Sequence, residues 1–489
     1  MIVLERADQL DLVTYDRIAR GRETVRIAPA LLESVAEARA AMLQHLAGGA
    51  ELYGVTTGLG RLAHEPLAPA DREAFQRTIL LRGAGHGPPF PDTVVRGAML
   101  LRLAGFLAGA AGVSAELCAF LAARLNDGWA PVVPSRGISS AGEVVALSHL
   151  FATLAGAGEV REDGAVTGAA EALARRGVAP YTPALKEGLA LVNGAPLAPA
   201  LTAHLVTRAG RLLEHATLAG ALTATLCTAS ARPYSRRIGA LKGDPGQERV
   251  HARLAALSAG AADWADRPQA PVSFRVLPQV HGAVLDQLDT AEAQLARELR
   301  AVTDSPLFLA ADGAEPAGFY PSGNFHAQAL CLTLDTLAIG FTQVANLSEK
   351  RLHRLLDARY SHLPDQLASA PGRQTGLVFL HKAVIGFVAE NRMLAAPAAV
   401  HPVDTSAGQE DFQAFTFLAA EQLGTILDNL ELILASELVA DRQAHHLRGA
   451  PLPPPLEAEL ERLTTGVDPV HDDRPLSEDV ERVRARLAP

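Results

Sequence analysis

Five polar clusters interrupt otherwise apolar stretches and hold the side chains best suited to chemistry. They are Lys186-Glu187-Gly188, Val192-Asn193-Gly194, Ser273-Phe274-Arg275, Ser322-Gly323-Asn324-Phe325-His326, and Thr405 to Asp411. Taken singly, each also reads as a turn, a helix cap or a satisfied core group. Glycine-rich loops add YGVTTGLG at 53–60, GAGHG at 83–87 and GISSAG at 137–142, and loops of this kind carry sites. Several chemistries lack their signatures: there is no HExxH, no GxSxG and no Walker loop. Gly58-Leu59-Gly60 is too short for a dinucleotide fingerprint. The three cysteines, Cys118, Cys227 and Cys331, lie far apart with no CxxC pair. They predict a reducing, cytoplasmic setting with neither a disulfide framework nor a zinc site, and no metal site is expected.

The elements that must position these clusters are helices. Leu285, Leu288, Ala291, Leu295 and Leu299 step by three or four, as do Leu423, Ile426, Leu430, Ile433 and Leu434, preceded by Phe415 and Leu418. Alternating strand patterns are rare, and Val272 to Val276 is the best candidate. Strands do not alternate with helices, so a doubly wound sheet fits poorly. The expected fold is all-α, a long central helical bundle with a smaller loop-rich N-terminal part. The expected division is an N-terminal domain over 1–190, a central bundle over 191–440 and a C-terminal helical segment over 441–489. Pro451-Leu452-Pro453-Pro454-Pro455 reads as an extended connector.

Composition narrows the partners. The 489 residues are 48% hydrophobic and 20% charged, too apolar for a disordered chain. With 44 basic against 54 acidic residues there is no surplus of positive charge for phosphates, so nucleic acid is not expected. Charges begin at Glu5, which predicts no secretory leader. The uncharged runs 188–207 and 216–231 read as helices buried in protein, so no membrane association is expected. Helices apolar nearly all round point to an oligomer.

The order of the clusters resembles the histidine and aromatic amino acid ammonia-lyase family over nearly the whole chain. Tyr53 to Gly60 looks like its Tyr-Gly-x-x-Thr-Gly-Phe-Gly loop, and Lys186 to Gly194 like its Asn-Gly segment. Leu277 to Ala283, Thr303-Asp304-Ser305-Pro306, Ser322 to His326, Thr405 to Asp411 and Asp473-Arg474-Pro475-Leu476 follow in the family's order. The resemblance implies a homotetramer with active sites shared between subunits. It also implies a self-made electrophile, 4-methylidene-imidazol-5-one, formed when an internal Ala-Ser-Gly cyclises and loses two waters. By the same resemblance Tyr53 is a candidate catalytic base, and Asn193, Gln269, Arg275, Phe325 and Glu410 are retained substrate-binding positions.

The sequence departs from the family at the electrophile. The triad stands as Ser140-Ala141-Gly142, and Ala141 has no β-hydroxyl to leave as water. A shifted triad, Ser139-Ser140-Ala141, has a central serine but needs Ala141 to attack in a crowded turn. The family's serine-histidine pair after the first loop is replaced by Arg82-Gly83, and Val272 stands where a tyrosine is expected.

These departures point to a leaving group that needs no electrophile. A trimethylammonium has no lone pair with which to attack one, and it departs as neutral trimethylamine. The pattern looks like the ergothionase branch, with no methylidene-imidazolone as cofactor and a betaine of the ergothioneine type as substrate. Arg275 and Asn193 would hold the carboxylate. Lys382 and Glu410 would hold the ring, and Tyr53 would take the β-proton, its pKa lowered by Arg82 and Arg275. An ordinary ammonia-lyase or aminomutase acting on an amino acid, and a non-catalytic amino-acid-binding member of the family, are the other two readings.

Overall fold

The computed structural model describes residues 1–162, 164–260, 269–400 and 403–487. The chain is 61% helical, and among the described residues its strands form only two- and three-stranded sheets. The expected helical fold is what the structure has. Long helices span Leu197–Leu226, Leu277–Glu298, Gln328–Leu355 and Thr416–Arg448. The stripe on the last of these is fully buried, since Leu423, Ile426, Leu430, Ile433 and Leu434 are each 0% exposed. At its start the register differs from expectation: Phe417 is buried and Leu418 exposed.

The described chain divides into two compact units. One joins Met1–His204, Glu292–Leu332 and Ala398–Ala420, and the other joins Leu205–Ala291, Thr333–Pro397 and Glu421–Pro489. Four of the five boundaries fall inside the long helices. In the first unit the core forms on helices Asp92–Leu107 and Val144–Ala152, with Val94, Met99, Leu103, Leu147 and Phe151 buried. In the second unit the interior holds a charge pair. Arg351 donates to Glu437 from Nε at 2.7 Å and from Nη2 at 2.8 Å, both side chains being fully buried. A fork of parallel hydrogen bonds is the geometry that makes such burial tolerable.

Val272 to Val276 is not a strand. Val272–Arg275 is a single helical turn after Pro271. Phe274 is buried there, and its carbonyl accepts from the Tyr234 hydroxyl at 2.7 Å. With no strand paired to it among the described residues, β-branched residues alone do not form one. Among the described residues, three helical stretches are long and apolar enough to cross a membrane by length and composition, Glu187–Leu226, Gln328–Leu355 and Val378–Val400. The apolar window of the first is 94% buried within the protein, that of the last 22%.

Candidate active site

The first unit brings together two groups of the expected site residues. Tyr53 begins the 53–60 loop and is 37% exposed. Its hydroxyl oxygen accepts from the Gly60 backbone N–H at 2.7 Å. Gly54 has φ +68, and a Cβ there would stand 2.7 Å from Leu59 and 3.0 Å from Leu189. The loop is tied down by Gln76, which is 0% exposed. Its amide donates to the Gly54 carbonyl at 2.7 Å and its oxygen accepts from Leu189 N–H at 3.1 Å. Gln76 carries no signal in the sequence, because an amide in an ordinary helix looks like surface.

Glu410 lies in the 405–411 loop, where its carboxylate accepts from the hydroxyls of Thr405 at 3.2 Å and Ser406 at 3.0 Å. The Tyr53 phenol is held above its ordinary value, first by burial and then by the Glu410 charge, against the Gly60 hydrogen bond. This reverses the expectation of a lowered pKa. Arg82, one of the cations expected to lower it, lies 5.2 Å from the Phe75 ring centre. The space a side chain would need at Gly83 is filled by His149, whose ring atoms would stand 2.7 to 2.8 Å from a Cβ there. His149 Nε2 accepts from Gly85 N–H at 2.9 Å, so that ring holds the 83–87 loop in place.

The second group surrounds the altered triad. Ser140 is extended, at φ −163 and ψ 158, and a tight turn covers Ala141–Glu143. Gly142 has φ +69, and a Cβ there would overlap the Asn193 side-chain oxygen. Gly194 N–H donates to the Gly142 carbonyl at 3.0 Å, which locks the turn against the Asn-Gly segment. The Asn193 amide donates to the Ser305 carbonyl at 2.8 Å, and the Asn193 carbonyl accepts from Arg102. Arg102 also reaches Asp304 at 3.2 Å, and fully buried Lys186 pairs with the same carboxylate at 2.7 Å. The polar block at 186–188 therefore positions Asn193 from behind. Phe325 lines one pocket with Ser140, Ala141, Gly142, Ala198 and Phe417. Glu143 accepts from the N–H groups of Leu197 at 2.8 Å and Ala198 at 2.9 Å, at the start of helix Leu197–Leu226.

The turn does not fit the family's electrophile. Closing the five-membered ring needs the carbonyl carbon before the central residue to meet the nitrogen after it. With Ser140 central, an extended backbone carries those atoms apart. With Ala141 central, there is no hydroxyl to eliminate.

Gln269, Arg275 and Lys382 belong to the second unit. Gln269 is exposed. Arg275 Nε donates to the Ala270 carbonyl at 2.9 Å, which fixes the plane of its guanidinium. Lys382 is exposed on helix Val378–Leu394, its ammonium 4.8 Å from the Phe379 ring centre.

Comparison with known proteins gives this arrangement its relatives. A family model described as aromatic amino acid lyase matches residues 10–467. A histidine ammonia-lyase of Rhodospirillum rubrum is 38% identical over 443 residues, covering 89% of this chain and 85% of that protein. One from Gloeobacter violaceus is 38% identical over 480 residues, covering 96% and 93%. Among solved structures, histidine ammonia-lyase from Trypanosoma cruzi superposes with a TM-score of 0.89 at 28% identity, over 100% of this chain and 93% of that one. Ergothionase from Treponema denticola, an ergothioneine-degrading enzyme, superposes with a TM-score of 0.94 over 99% and 98%. Its identity of 24% makes that a likeness of fold. The chain belongs to the aromatic amino acid lyase family and is a carbon–nitrogen lyase by descent.

Proposed function

We propose that this lyase eliminates trimethylamine from a betaine of the histidine type, such as ergothioneine, without a methylidene-imidazolone. The observation that carries the reading is the turn at 140–143: Ala141 has no hydroxyl, and Ser140 is extended. The chemistry balances with the chain's own residues. Tyr53 as phenolate takes the β-proton, and the released electron pair forms the Cα–Cβ double bond. The Cα–N bond breaks with its electrons on nitrogen, so that trimethylamine leaves neutral. Arg275 and Asn193 hold the carboxylate, Glu410 and Lys382 the ring, and Gln269 and Phe325 complete the binding surface. Because the phenol is held high in the free protein, its ionisation needs a cation nearby. The substrate's fixed trimethylammonium supplies one. The reading includes a homotetramer in which each site draws on more than one chain.

A second reading, an ordinary histidine ammonia-lyase, is favoured by the names of curated relatives at 34% to 38% identity. It needs the electrophile, and intact mass separates the two. The first reading expects the encoded mass and trimethylamine release from ergothioneine. A mass short by two waters, with ammonia release from histidine, establishes the second instead.

A further inference from the structure

The second unit gathers a carboxylate and two imidazoles, one of them on His381, the chain neighbour of Lys382. Glu349 and His353 lie one helical turn apart on helix Gln328–Leu355, so both project from one face. His381 comes from helix Val378–Leu394. Glu349 Oε1 lies 2.9 Å from His381 Nε2, and the His353 and His381 rings stack with centres 4.7 Å apart. One ligand atom from each of the three lies within 4.8 Å of the others. The carboxylate is 1% exposed and the His381 side chain 17%, while His353 opens to solvent.

We propose that Glu349, His353 and His381 bind a divalent transition-metal ion of the zinc class, bridging these two helices. Two imidazole nitrogens and one carboxylate oxygen are a donor set of the borderline-soft kind that zinc, cobalt and iron accept, with an open position for water. In a tetrahedral site with ligand bonds of about 2.0 to 2.2 Å, donor atoms stand about 3.4 Å apart. The Glu349–His381 pair is already closer than that. To seat an ion, Glu349 and His381 give up their mutual hydrogen bond and open by about 0.5 Å, and the exposed His353 ring swings inward. Lys350 Nζ lies 2.8 Å from the other oxygen of Glu349, Oε2, which leaves Oε1 to the histidines. Glu349-x-x-x-His353 is visible in the sequence as an i, i+4 pair. The third ligand lies far along the chain and is joined to it only by helix packing.

Cobalt(II) titration of the chelator-treated full-length protein tests this. We expect one ion per chain, with the visible absorption of low-coordinate cobalt, and displacement of cobalt by zinc. His353→Ala and His381→Gln should each weaken cobalt binding at least about tenfold, with far-ultraviolet circular dichroism unchanged. Should His381→Gln fail to fold, the exposed His353→Ala variant decides alone. Absence of the cobalt spectrum in the native protein, or a spectrum and affinity unaltered in the folded variants, overturns the proposal.

Discussion

Tyr53 shows how a residue's environment sets its use. Partial burial and the neighbouring Glu410 both favour the neutral phenol, and the Gly60 hydrogen bond opposes them. A base must be deprotonated, so in the free enzyme activity should climb with pH toward a limb above the ordinary tyrosine value of about 10. A bound trimethylammonium pulls the phenol down, so the limb in kcat should lie at lower pH than the limb in kcat/KM. Tyr53→Phe should lower kcat by about 10² to 10⁴. The variant keeps the partly exposed ring, so its melting temperature should stay close to that of the native chain. Steady-state profiles with ergothioneine measure both effects. A Tyr53→Phe variant with native kcat would remove Tyr53 from the base role. Here the sequence was informative about identity and silent about charge. The loop that carries Tyr53 is recognisable from its glycines, but the carboxylate that faces the phenol comes from a loop more than three hundred residues away.

At the scale of elements, the long helices were legible because their apolar stripes repeat over many turns and are buried over most of their length, Leu285 and Leu418 at the starts excepted. Val272–Arg275 was not, because a few β-branched residues cannot announce the absence of a partner strand. Glu143, next to the triad, closes the start of helix Leu197–Leu226 with two accepted N–H bonds, a role that no local sequence pattern announces. Burial pushes its carboxyl up to about 8, against those two bonds and Arg102. A carboxyl raised from about 4.3 in the unfolded chain binds its proton more tightly when folded. Its contribution is then complete below the unfolded value and is lost as pH rises through about 8. Glu143→Gln does not titrate, and it turns one acceptor into a donor facing an N–H, a change of about 1 to 3 kcal/mol. The melting temperature of the variant should therefore fall below the native one at about pH 5, and the difference should close and then reverse toward about pH 9. A gap constant across that range means the carboxylate stays ionised in the folded protein.

At the scale of the molecule, the proposed site residues fall in two groups. Tyr53, Asn193, Phe325 and Glu410 belong to one compact unit, and Gln269, Arg275 and Lys382 to the other. Linear order concealed this division, because the long helices carry the chain between units and mix early and late segments in each. Helix Val378–Leu394, which carries Lys382, leaves Phe379 66%, Ile385 45% and Met393 78% exposed. Large apolar side chains left open together suit a face that another subunit covers. If the proposed tetramer builds each site from more than one chain, Tyr53 and Arg275 act from different copies. Tyr53→Phe and Arg275→Ala chains should then each be inactive alone, yet restore activity when co-expressed in one assembly. With random mixing, a site that takes one residue from each of two chains is intact in about one case in four, so about a quarter of native turnover should return. Separately purified variants mixed without subunit exchange supply the baseline. Turnover of the co-expressed assembly that stays at that baseline places Tyr53 and Arg275 of one chain in one site, and the shared-site reading fails.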